Sequence, residues 1–494
     1  MSESRRLMQE NAETARMLID GDWVGSLDGE TFDVENPATR TVIARAPRAQ
    51  AGDVERAVRA AAVAFTAWRK VPARERGRML LRIADAIEAN IESIARTLAL
   101  ETGNALRTQS RPEVKASAEF FRYFGGLCGE AKGESTAPTT ATLNYSLREP
   151  LGVVGAVIPW NSPIIVMASK IAPAICMGNT VVLKAAEDAP LAVLEVGKLC
   201  LEFLPKGVLN ILTGFGSECG AALVQNSGVA KLTFTGSTQV GKSVMHAAAD
   251  RIVPVSLELG GKSPSIVFAD ADHDWVADGV ISAARITRQS QSCTAGTRIF
   301  VHDSIFDSFL ARLTTRLSAL RVGDPLDEAS DIGALINRKQ FDRVSSYIED
   351  GIKQPDATLV TGGLPPGTGP LSGGYFVQPT IFASRSNDWR LAREEIFGPV
   401  LCAIRWSSEE DVIRMANDTV YGLAGFVWTS DLNRALRTAH ALEAGWIQVN
   451  QGGGPSPGQS FGGYKQSGIG RELSLESMLD SFTARKNICV ALRS

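Results

Sequence analysis

The middle of the chain alternates short apolar runs with longer helix-forming segments, and this pattern limits the possible folds more than any other feature. Four runs have the composition of strands: 152–158, 180–184, 208–212 and 231–234. Four segments between and after them have the pattern of helices: 164–176, 191–204, 218–225 and 240–249. Short apolar strands joined by helices form a parallel sheet with right-handed crossovers. The sequence therefore predicts an α/β fold with a Rossmann-like domain.

A second α/β unit is predicted after Gly260-Gly261. Its strand candidates are 265–268, 298–301 and 401–404, and its clearest helix candidate is 305–320. Two other stretches have strand patterns outside these units, 134–147 and 485–492. An apolar terminal strand presents an unpaired edge, which favours pairing with another chain. Residues 1–16 are predicted to be a disordered or loosely helical lead.

Size and composition exclude several classes of protein. A chain of 494 residues is too long for one core and suits two or three domains. A net charge of −3 gives no basic surplus for binding nucleic acid. The longest apolar run, 164–183, contains Lys170, Pro173 and Asn179, so it is not a membrane span. Seven scattered cysteines without metal-ligand spacing indicate a reducing, cytoplasmic location and no metal site.

Cys293 is the candidate nucleophile among these cysteines. It lies in Gln-Ser-Gln-Ser-Cys-Thr-Ala-Gly, where small and polar residues flank the thiol on both sides. Structural cysteines usually lie in apolar runs, whereas a nucleophilic thiol needs room for a substrate and donors that favour the thiolate. From this stretch alone, a buried inert cysteine is equally compatible.

Two further stretches carry polar groups in unusual settings. Glu258 has leucine on each side within a strand pattern, and burial there would raise its pKa toward that of a general base. Asn161 lies between Pro159 and Pro163, which stiffen the backbone around an amide that could donate to an oxyanion. The alternatives are a solvent-facing Glu on an edge strand and an ordinary Asn turn.

Taken together and in this order, the motifs resemble those of the aldehyde dehydrogenase superfamily. They are Pro-Trp-Asn-x-Pro, then Leu-Glu-Leu-Gly-Gly-Lys-Ser-Pro, then Gln-x-Cys-x-Ala-Gly. Glu-Glu-Ile-Phe-Gly-Pro-Val from residue 394 and Phe-Gly-Gly-Tyr-Lys-Gln-Ser-Gly from residue 461 agree with this family. The resemblance extends from about residue 18 to the C-terminus.

The resemblance implies a cofactor-binding domain, a catalytic domain and a small β oligomerisation arm. The expected boundaries are 1–133 with 148–260 for the first, 261–470 for the second, and 134–147 with 471–494 for the arm. The protein is expected to form a homo-oligomer, either a dimer or a tetramer. No membrane or nucleic-acid partner is expected.

The implied reaction is the oxidation of an aldehyde to a carboxylic acid with NAD. Cys293 would attack the aldehyde, Asn161 would hold the oxyanion, and Glu258 would activate the water that hydrolyses the thioester. Lys170 stands at the family's helper lysine position and is expected to support the region of Asn161. Three alternatives remain open: a coenzyme-A-acylating relative, a thiol hydrolase without a redox step, and a non-enzymatic binding protein.

Several residues are expected to hold the cofactor. Gly236 and Ser237 lie between a strand and a helix, whose free N–H groups can bind a phosphate. The resemblance places Lys184 and Glu187 at the adenine ribose, and a carboxylate there favours NAD over NADP. The remaining expected contacts are Ile158, Trp160, Gly216, Val240, Leu259, Glu395 and Phe397.

The expected substrate tunnel lacks most of the aromatic residues that the family often carries there. Its expected lining is Ser162, Val166, Thr287, Ser292, Thr294, Gly454 and Phe461. An aromatic side chain buries roughly 150–250 Å², so several small residues predict a wide opening. We therefore expect a bulky aldehyde, aromatic or long-chain. The alternative is that Arg288 and Gln451 refill the space.

Overall fold

The predicted alternation folds into an eight-stranded sheet. The structure, a computed structural model, describes residues 13–365 and 367–492. In spatial order the strands are Gly468–Ile469, Val255–Glu258, Lys231–Thr235, Val153–Val157, Thr180–Lys184, Leu209–Leu212, Met17–Ile19 and Asp22–Val24. The five strands from Val255–Glu258 to Leu209–Leu212 are parallel, and the outer strands are antiparallel. The Rossmann-like prediction is confirmed.

Helices cover both faces of this sheet, which explains why its central strands are rich in apolar residues. Val153 packs into the core on one face, whereas Val154 and Ala156 pack into the core on the other. Side chains alternate between faces along a strand, so a strand buried on both faces lacks the regular alternation of apolar and polar residues. The helices of this part are Ala51–Trp68, Ala73–Ala89, Ile91–Thr102, Arg111–Leu127, Pro163–Cys176, Leu191–Leu201, Ala221–Gln225 and Thr238–Ala249.

A seven-stranded sheet forms the second α/β unit. Its strands, in spatial order, are Ala357–Thr361, Thr380–Ser384, Val400–Trp406, Arg298–His302, Pro264–Val267, Ala424–Trp428 and Trp446–Val449. All are parallel except the edge strand Ala357–Thr361. The helices around it are Asp274–Ala283, Phe306–Ser318, Arg338–Lys353, Arg390–Arg393, Glu409–Asn417 and Leu432–Ala441.

The two stretches outside the α/β units pair with each other. Ser135–Thr139 and Thr142–Pro150 form a hairpin, and Thr483–Ala491 lies antiparallel to its second strand. These three strands are called the arm sheet below. Its pairing agrees with the predicted strands at 134–147 and 485–492.

The arm boundary at residue 471 stays a prediction, although the first part of the 471–494 segment packs on the body of the protein. The helix Leu475–Phe482 buries Met478 and Phe482 in the core shared with the Rossmann-like helices, so its apolar face holds it to the body of the protein. Gly468–Ile469, assigned to the catalytic domain, extends the eight-stranded sheet instead.

The N-terminal region forms a small sheet of its own. Thr31–Asn36 and Thr41–Pro47 are antiparallel, and Glu13–Thr14 adds a short parallel strand. The expected disordered or helical lead is therefore wrong at residues 13–14, while residues 1–12 lie outside the described residues. A two-stranded pair, Tyr421–Gly422 with Tyr464–Lys465, completes the sheets. Within the described ranges, no helix has the length and apolar character needed to cross a membrane.

Candidate active site

Cys293 lies on an irregular turn that follows the helix Asp274–Ala283. Three residues of this turn have left-handed backbone angles, with φ of 57° at Arg285, 51° at Gln289 and 50° at Ser290. Such angles are costly for residues other than glycine, so local bonds must hold them. Ser290 Oγ donates to the carbonyl oxygen of Ala284 at 2.7 Å. This bond ties the side chain of Ser290 to the end of the preceding helix and helps to hold its left-handed backbone.

The thiol of Cys293 is partly exposed and lines a cavity of about 430 Å³. Its pKa is raised to about 12, chiefly by burial and also by the nearby carboxylates of Glu395 and Glu258. Arg285 acts in the opposite direction and lowers it. The resting thiol is therefore protonated at neutral pH, and a base or a change of surroundings is needed to form the thiolate.

Asn161 lines the same cavity as Cys293 and is linked to the turn before it. Its Nδ2 donates to the carbonyl oxygen of Gln291 at 2.9 Å, and its own carbonyl oxygen accepts from Arg288 Nη1 at 2.8 Å. An amide nitrogen carries two hydrogens, so one remains for an oxyanion.

Arg288 has further partners, which the sequence did not identify. Its Nε donates to Gln109 Oε1 at 2.8 Å, and its Nη1 also donates to Ser162 Oγ. Its Nη2 lies 3.1 Å from Glu113 Oε2, and both side chains are almost completely buried. Arg288 therefore occupies the space beside Ser162. At this corner the contacts of Arg288 favour the alternative in which it refills part of the expected tunnel, and the wide opening stays a prediction.

Glu258 ends its strand as predicted, and its side chain is buried. Burial raises its pKa well above the usual range, and the charge of Glu472 adds to this. Lys170 and Arg471 act in the opposite direction. The backbone of Gly462 passes close by, since a Cβ built there would lie 3.0 Å from Glu258 Oε1. The solvent-facing alternative for Glu258 is therefore wrong.

Lys170 is fully buried, but it does not contact Asn161. Its Nζ donates to Glu472 Oε1 at 2.7 Å and to Thr233 Oγ1 at 2.9 Å. The expectation that Lys170 supports the Asn161 region therefore has no direct contact behind it and stays a prediction. Its charge instead acts on two neighbouring carboxyl groups, the half-buried Glu472 and the buried Glu258.

A long groove leads away from the nucleophile along the carboxyl ends of the parallel strands. A cavity of about 960 Å³ shares Trp160, Gly236 and Ser237 with the smaller cavity at Cys293. The larger one also contains Ile158, Lys184, Glu187, Gly216 and Val240. The smaller one also contains Leu259, Glu395 and Phe397. The structure thus brings every expected cofactor residue to one continuous groove, which is where ligands bind in open α/β sheets.

The far end of the groove carries a charged pair. Lys184 Nζ lies 2.7 Å from Glu187 Oε2. Burial raises the pKa of Glu187, but Lys184 and the backbone N–H of Gly216 outweigh this, so the pKa falls below its usual range. In the middle of the groove, Ser237 Oγ accepts from the N–H of Val240 at 3.4 Å and begins the helix Thr238–Ala249.

The near end of the groove is formed by Glu395 and two aromatic rings. Glu395 Oε1 accepts from the N–H of Gly261 at 2.9 Å. Burial raises the pKa of Glu395 to about 7, although the Gly261 N–H opposes this. Trp160 and Phe397 meet edge to face with ring centroids 5.3 Å apart.

Comparison with known proteins gives one consistent result. The model of the aldehyde dehydrogenase family matches residues 23–488. The chain belongs to the aldehyde dehydrogenase family.

Individual relatives agree with this assignment along nearly the whole chain. An aldehyde dehydrogenase of Leishmania tarentolae, named as mitochondrial, is 42% identical over 97% of this chain and 95% of its own. A putative aldehyde dehydrogenase from Burkholderia cenocepacia is 41% identical with a TM-score of 0.94, covering 97% of each chain. The NAD⁺ complex of an aldehyde dehydrogenase from Bacillus cereus is 37% identical with a TM-score of 0.94, covering 100% of this chain and 99% of that one. The prediction of an aldehyde dehydrogenase that uses a nicotinamide cofactor is confirmed.

Sequence reasoning missed a helix that lines the groove from the catalytic unit. Gln340 Nε2 donates to the carbonyl oxygens of Ile396 and Phe397 at 3.0 and 2.8 Å. Arg343 Nη2 donates to the carbonyl oxygen of Glu395 at 2.6 Å. These contacts hold the Glu395–Phe397 segment in place at the cavity. The only local signal was Asn337, which caps the helix Arg338–Lys353 by accepting from the N–H of Gln340.

The structure gives each residue that was expected to line the substrate tunnel its own set of contacts. Ser292 Oγ and Thr294 Oγ1 lie 3.1 Å apart on either side of Cys293. Thr287 Oγ1 accepts from Gln109 Nε2 at 3.0 Å, and Val166 is half-buried. Phe461 is buried, and its ring packs against Trp446 with centroids 5.7 Å apart.

Gly454 lies against Arg285. A Cβ built on this glycine would lie 3.2 Å from Arg285 Nη2. An arginine therefore borders the expected tunnel beside this loop.

Proposed function

We propose that this family member oxidises an aldehyde to a carboxylic acid, with Cys293 as nucleophile and NAD as oxidant. The observation that carries the proposal is the shared cavity of Cys293 and Asn161, which continues into the groove lined by the expected cofactor residues. The overall reaction converts an aldehyde, NAD⁺ and water into a carboxylate, NADH and two protons.

The first half of the reaction rests on three groups. The Cys293 thiol loses its proton to water or to a nearby carboxylate, and its sulfur forms a bond to the aldehyde carbon. The carbonyl oxygen becomes an oxyanion, which accepts from Asn161 Nδ2 and from the backbone N–H of Cys293. Bound NAD supplies the acceptor for the hydride that leaves the carbon, and a thioester on Cys293 results.

The second half of the reaction uses Glu258. Its carboxylate takes a proton from water, which attacks the thioester carbon and displaces the Cys293 thiolate. The raised pKa of Glu258 suits this role, because a stronger base accepts the proton more readily. The rival in which coenzyme A releases the acyl group does not need this base, so the buried Glu258 favours hydrolysis.

The preference for NAD over NADP is part of the proposal. Glu187 is ionised at neutral pH because its pKa is lowered, and a carboxylate repels a 2′-phosphate. Lys184 offsets part of that charge, because its Nζ lies 2.7 Å from Glu187 Oε2. We therefore expect a preference that is not absolute.

Assembly and location are also proposals. The arm sheet exposes Leu143, Leu147 and Val490, an apolar surface that suits pairing with a second copy. The 134–150 and 483–491 segments are proposed as the oligomerisation arm of a dimer or tetramer. A cytoplasmic location is proposed from the seven cysteines, which are all free.

The test is product analysis with a series of aldehydes. Acetaldehyde, hexanal, benzaldehyde and a larger aryl aldehyde are each incubated with NAD, with and without coenzyme A. We expect one carboxylate per NADH and no dependence on coenzyme A. Absence of NADH with every aldehyde would contradict the oxidoreductase proposal, and acyl-coenzyme A as the product would favour the acylating alternative. We further propose a bulky substrate, and acetaldehyde as the best of the four would contradict that part.

A further inference from the structure

Arg285 is a charged side chain at the candidate active site without a partner of its own. It follows the helix Asp274–Ala283 and lies eight residues before Cys293 in the chain. Among the residues that the structure describes, no side-chain hydrogen bond or ion pair involves it, and its Nε is buried without a partner. The side chain as a whole is half-buried, and its Nη1 and Nη2 are not among the buried atoms that lack a partner, so this end of the guanidinium is accessible to an acceptor from outside the chain.

The neighbouring arginine, unlike Arg285, has partners for its guanidinium group. Arg288 lies three residues later, and its guanidinium is held by Gln109, Ser162, Glu113 and the backbone of Asn161. The nearby carboxylate of Glu113 is therefore already paired. The positive charge of Arg285 is left uncompensated by any close carboxylate in the described part of the chain.

The guanidinium of Arg285 borders the loop that is expected to line the substrate tunnel. Its Nη1 and Nη2 lie against the loop of Gly453 and Gly454, where Cβ atoms would come within 3.9 and 3.2 Å. Its charge also acts on Cys293, whose pKa it lowers. The side chain thus lies near the nucleophile and borders the loop expected at the tunnel.

The backbone holds Arg285 in a fixed conformation. Its φ is 57°, and its carbonyl oxygen accepts from the N–H groups of Arg288 and Ser290, both at 2.9 Å. The turn that carries the nucleophile therefore also fixes the base of the arginine side chain. A ligand group recognised by Arg285 would be held in a defined relation to Cys293.

We infer that Arg285 binds a carboxylate at the far end of the substrate, so that the preferred substrate is an aldehyde acid. This inference rests on the proposed function and specifies its substrate class. A planar guanidinium binds a carboxylate through two parallel hydrogen bonds, which adds geometric selectivity to the charge. The product is then a dicarboxylate, and the reaction that supplies the substrate must generate an aldehyde on a carbon chain that already bears a carboxyl group.

The experiment compares two substrates of matched length, hexanal and 6-oxohexanoate, with NAD as oxidant. We expect 6-oxohexanoate to have the higher kcat/KM by about 10- to 100-fold, the range of a charge-assisted hydrogen-bond pair. Arg285→Gln should reduce the ratio of the two kcat/KM values by a similar factor. Arg285→Lys, which keeps the charge but loses the planar fork, should retain part of the ratio. Arg385→Gln, which removes an exposed arginine elsewhere, should leave the ratio as it is.

The ratio separates substrate recognition from activation of the thiol. If Arg285 served only to lower the pKa of Cys293, Arg285→Gln would slow both substrates equally, and the inference would be overturned. An equal kcat/KM for the two substrates in the native enzyme would overturn it as well. Absence of NADH with both substrates would instead point to a failure of the proposed function.

A second measurement uses only the native protein, so its outcome does not depend on whether a variant folds. Adipate and hexanoate are compared as inhibitors of hexanal oxidation. We expect adipate to inhibit at a concentration about 10-fold lower or more, because only adipate has a second carboxylate for Arg285. Equal inhibition by the two acids would overturn the inference.

Discussion

Arg288 Nη1 donates to the carbonyl oxygen of Asn161 at 2.8 Å, and Asn161 Nδ2 donates to the carbonyl oxygen of Gln291 at 2.9 Å. These two bonds join the proposed oxyanion donor to the turn that carries Cys293, although the residues are more than a hundred positions apart in the chain. The amide and the thiol are therefore held as one unit.

We predict that Arg288→Met lowers kcat by roughly 10- to 100-fold with little change in NAD affinity, because Asn161 loses the bond to its backbone carbonyl. The variant also leaves Glu113 buried without its cation, which should reduce the free energy of unfolding by about 3 kcal/mol. Steady-state kinetics and thermal unfolding measure the two effects.

The double variant Arg288→Met with Glu113→Met separates stability from positioning. Removing both charges should recover most of the lost stability but not kcat. Recovery of kcat together with stability would show that Arg288 does not position Asn161.

Glu258 gives a prediction on pH. Its raised pKa means that the carboxyl is protonated at low pH and cannot accept a proton, so thioester hydrolysis should accelerate as pH rises through that pKa. In Glu258→Gln this rise should disappear, and an early burst of NADH should be followed by slow turnover. Stopped-flow measurement of NADH checks both. Loss of the burst itself would indicate that Glu258 acts before hydride transfer.

Cofactor preference depends on Glu187 in this account. Glu187→Gln removes the negative charge and leaves Lys184 to attract a 2′-phosphate, so the kcat/KM ratio of NADP to NAD should rise by about 10-fold. Glu202→Gln, at an exposed position on a nearby segment, serves as the control. An unchanged ratio in the Glu187 variant would place the selectivity elsewhere.

The arm sheet gives a prediction on assembly. Leu147→Asp with Val490→Asp places charges on the exposed apolar face and should lower the molar mass seen by light scattering at micromolar concentration. Leu359→Asp changes an exposed leucine on the edge strand Ala357–Thr361 and should leave the mass unchanged. A native protein that is monomeric at this concentration would contradict the proposed arm.

The parts of the fold that could be predicted are those in which a short stretch of sequence has a clear strand or helix pattern. The central strands, such as Thr180–Lys184 with its Val-Val-Leu centre, are buried on both faces and alternate with helices, which specifies a parallel sheet. The helix Leu475–Phe482 was missed because its apolar face becomes informative only when its docking site on the body is known. The same holds for Glu13–Thr14, a short strand that depends on pairing with Thr41–Pro47.

Candidate site residues within compact motifs were identifiable from the sequence, whereas their distant partners were not. Ser237 is identifiable because strand, glycine and helix follow one another. The contacts of Lys170 with Glu472, and of Arg288 with Glu113, join residues from separate elements that no local pattern connects. Arg285 was missed for a related reason, since the absence of a partner is visible only in three dimensions.

The central claim is that Cys293 forms the covalent bond to the substrate, and one measurement tests it most directly. Single-turnover NADH formation is compared between the native enzyme and Cys293→Ala, with NAD binding followed by fluorescence titration and Cys489→Ser as a control at the exposed thiol. We predict that Cys293→Ala binds NAD with nearly native affinity and forms no NADH, while Cys489→Ser behaves as the native enzyme. NADH formation at the native rate in Cys293→Ala would contradict the account.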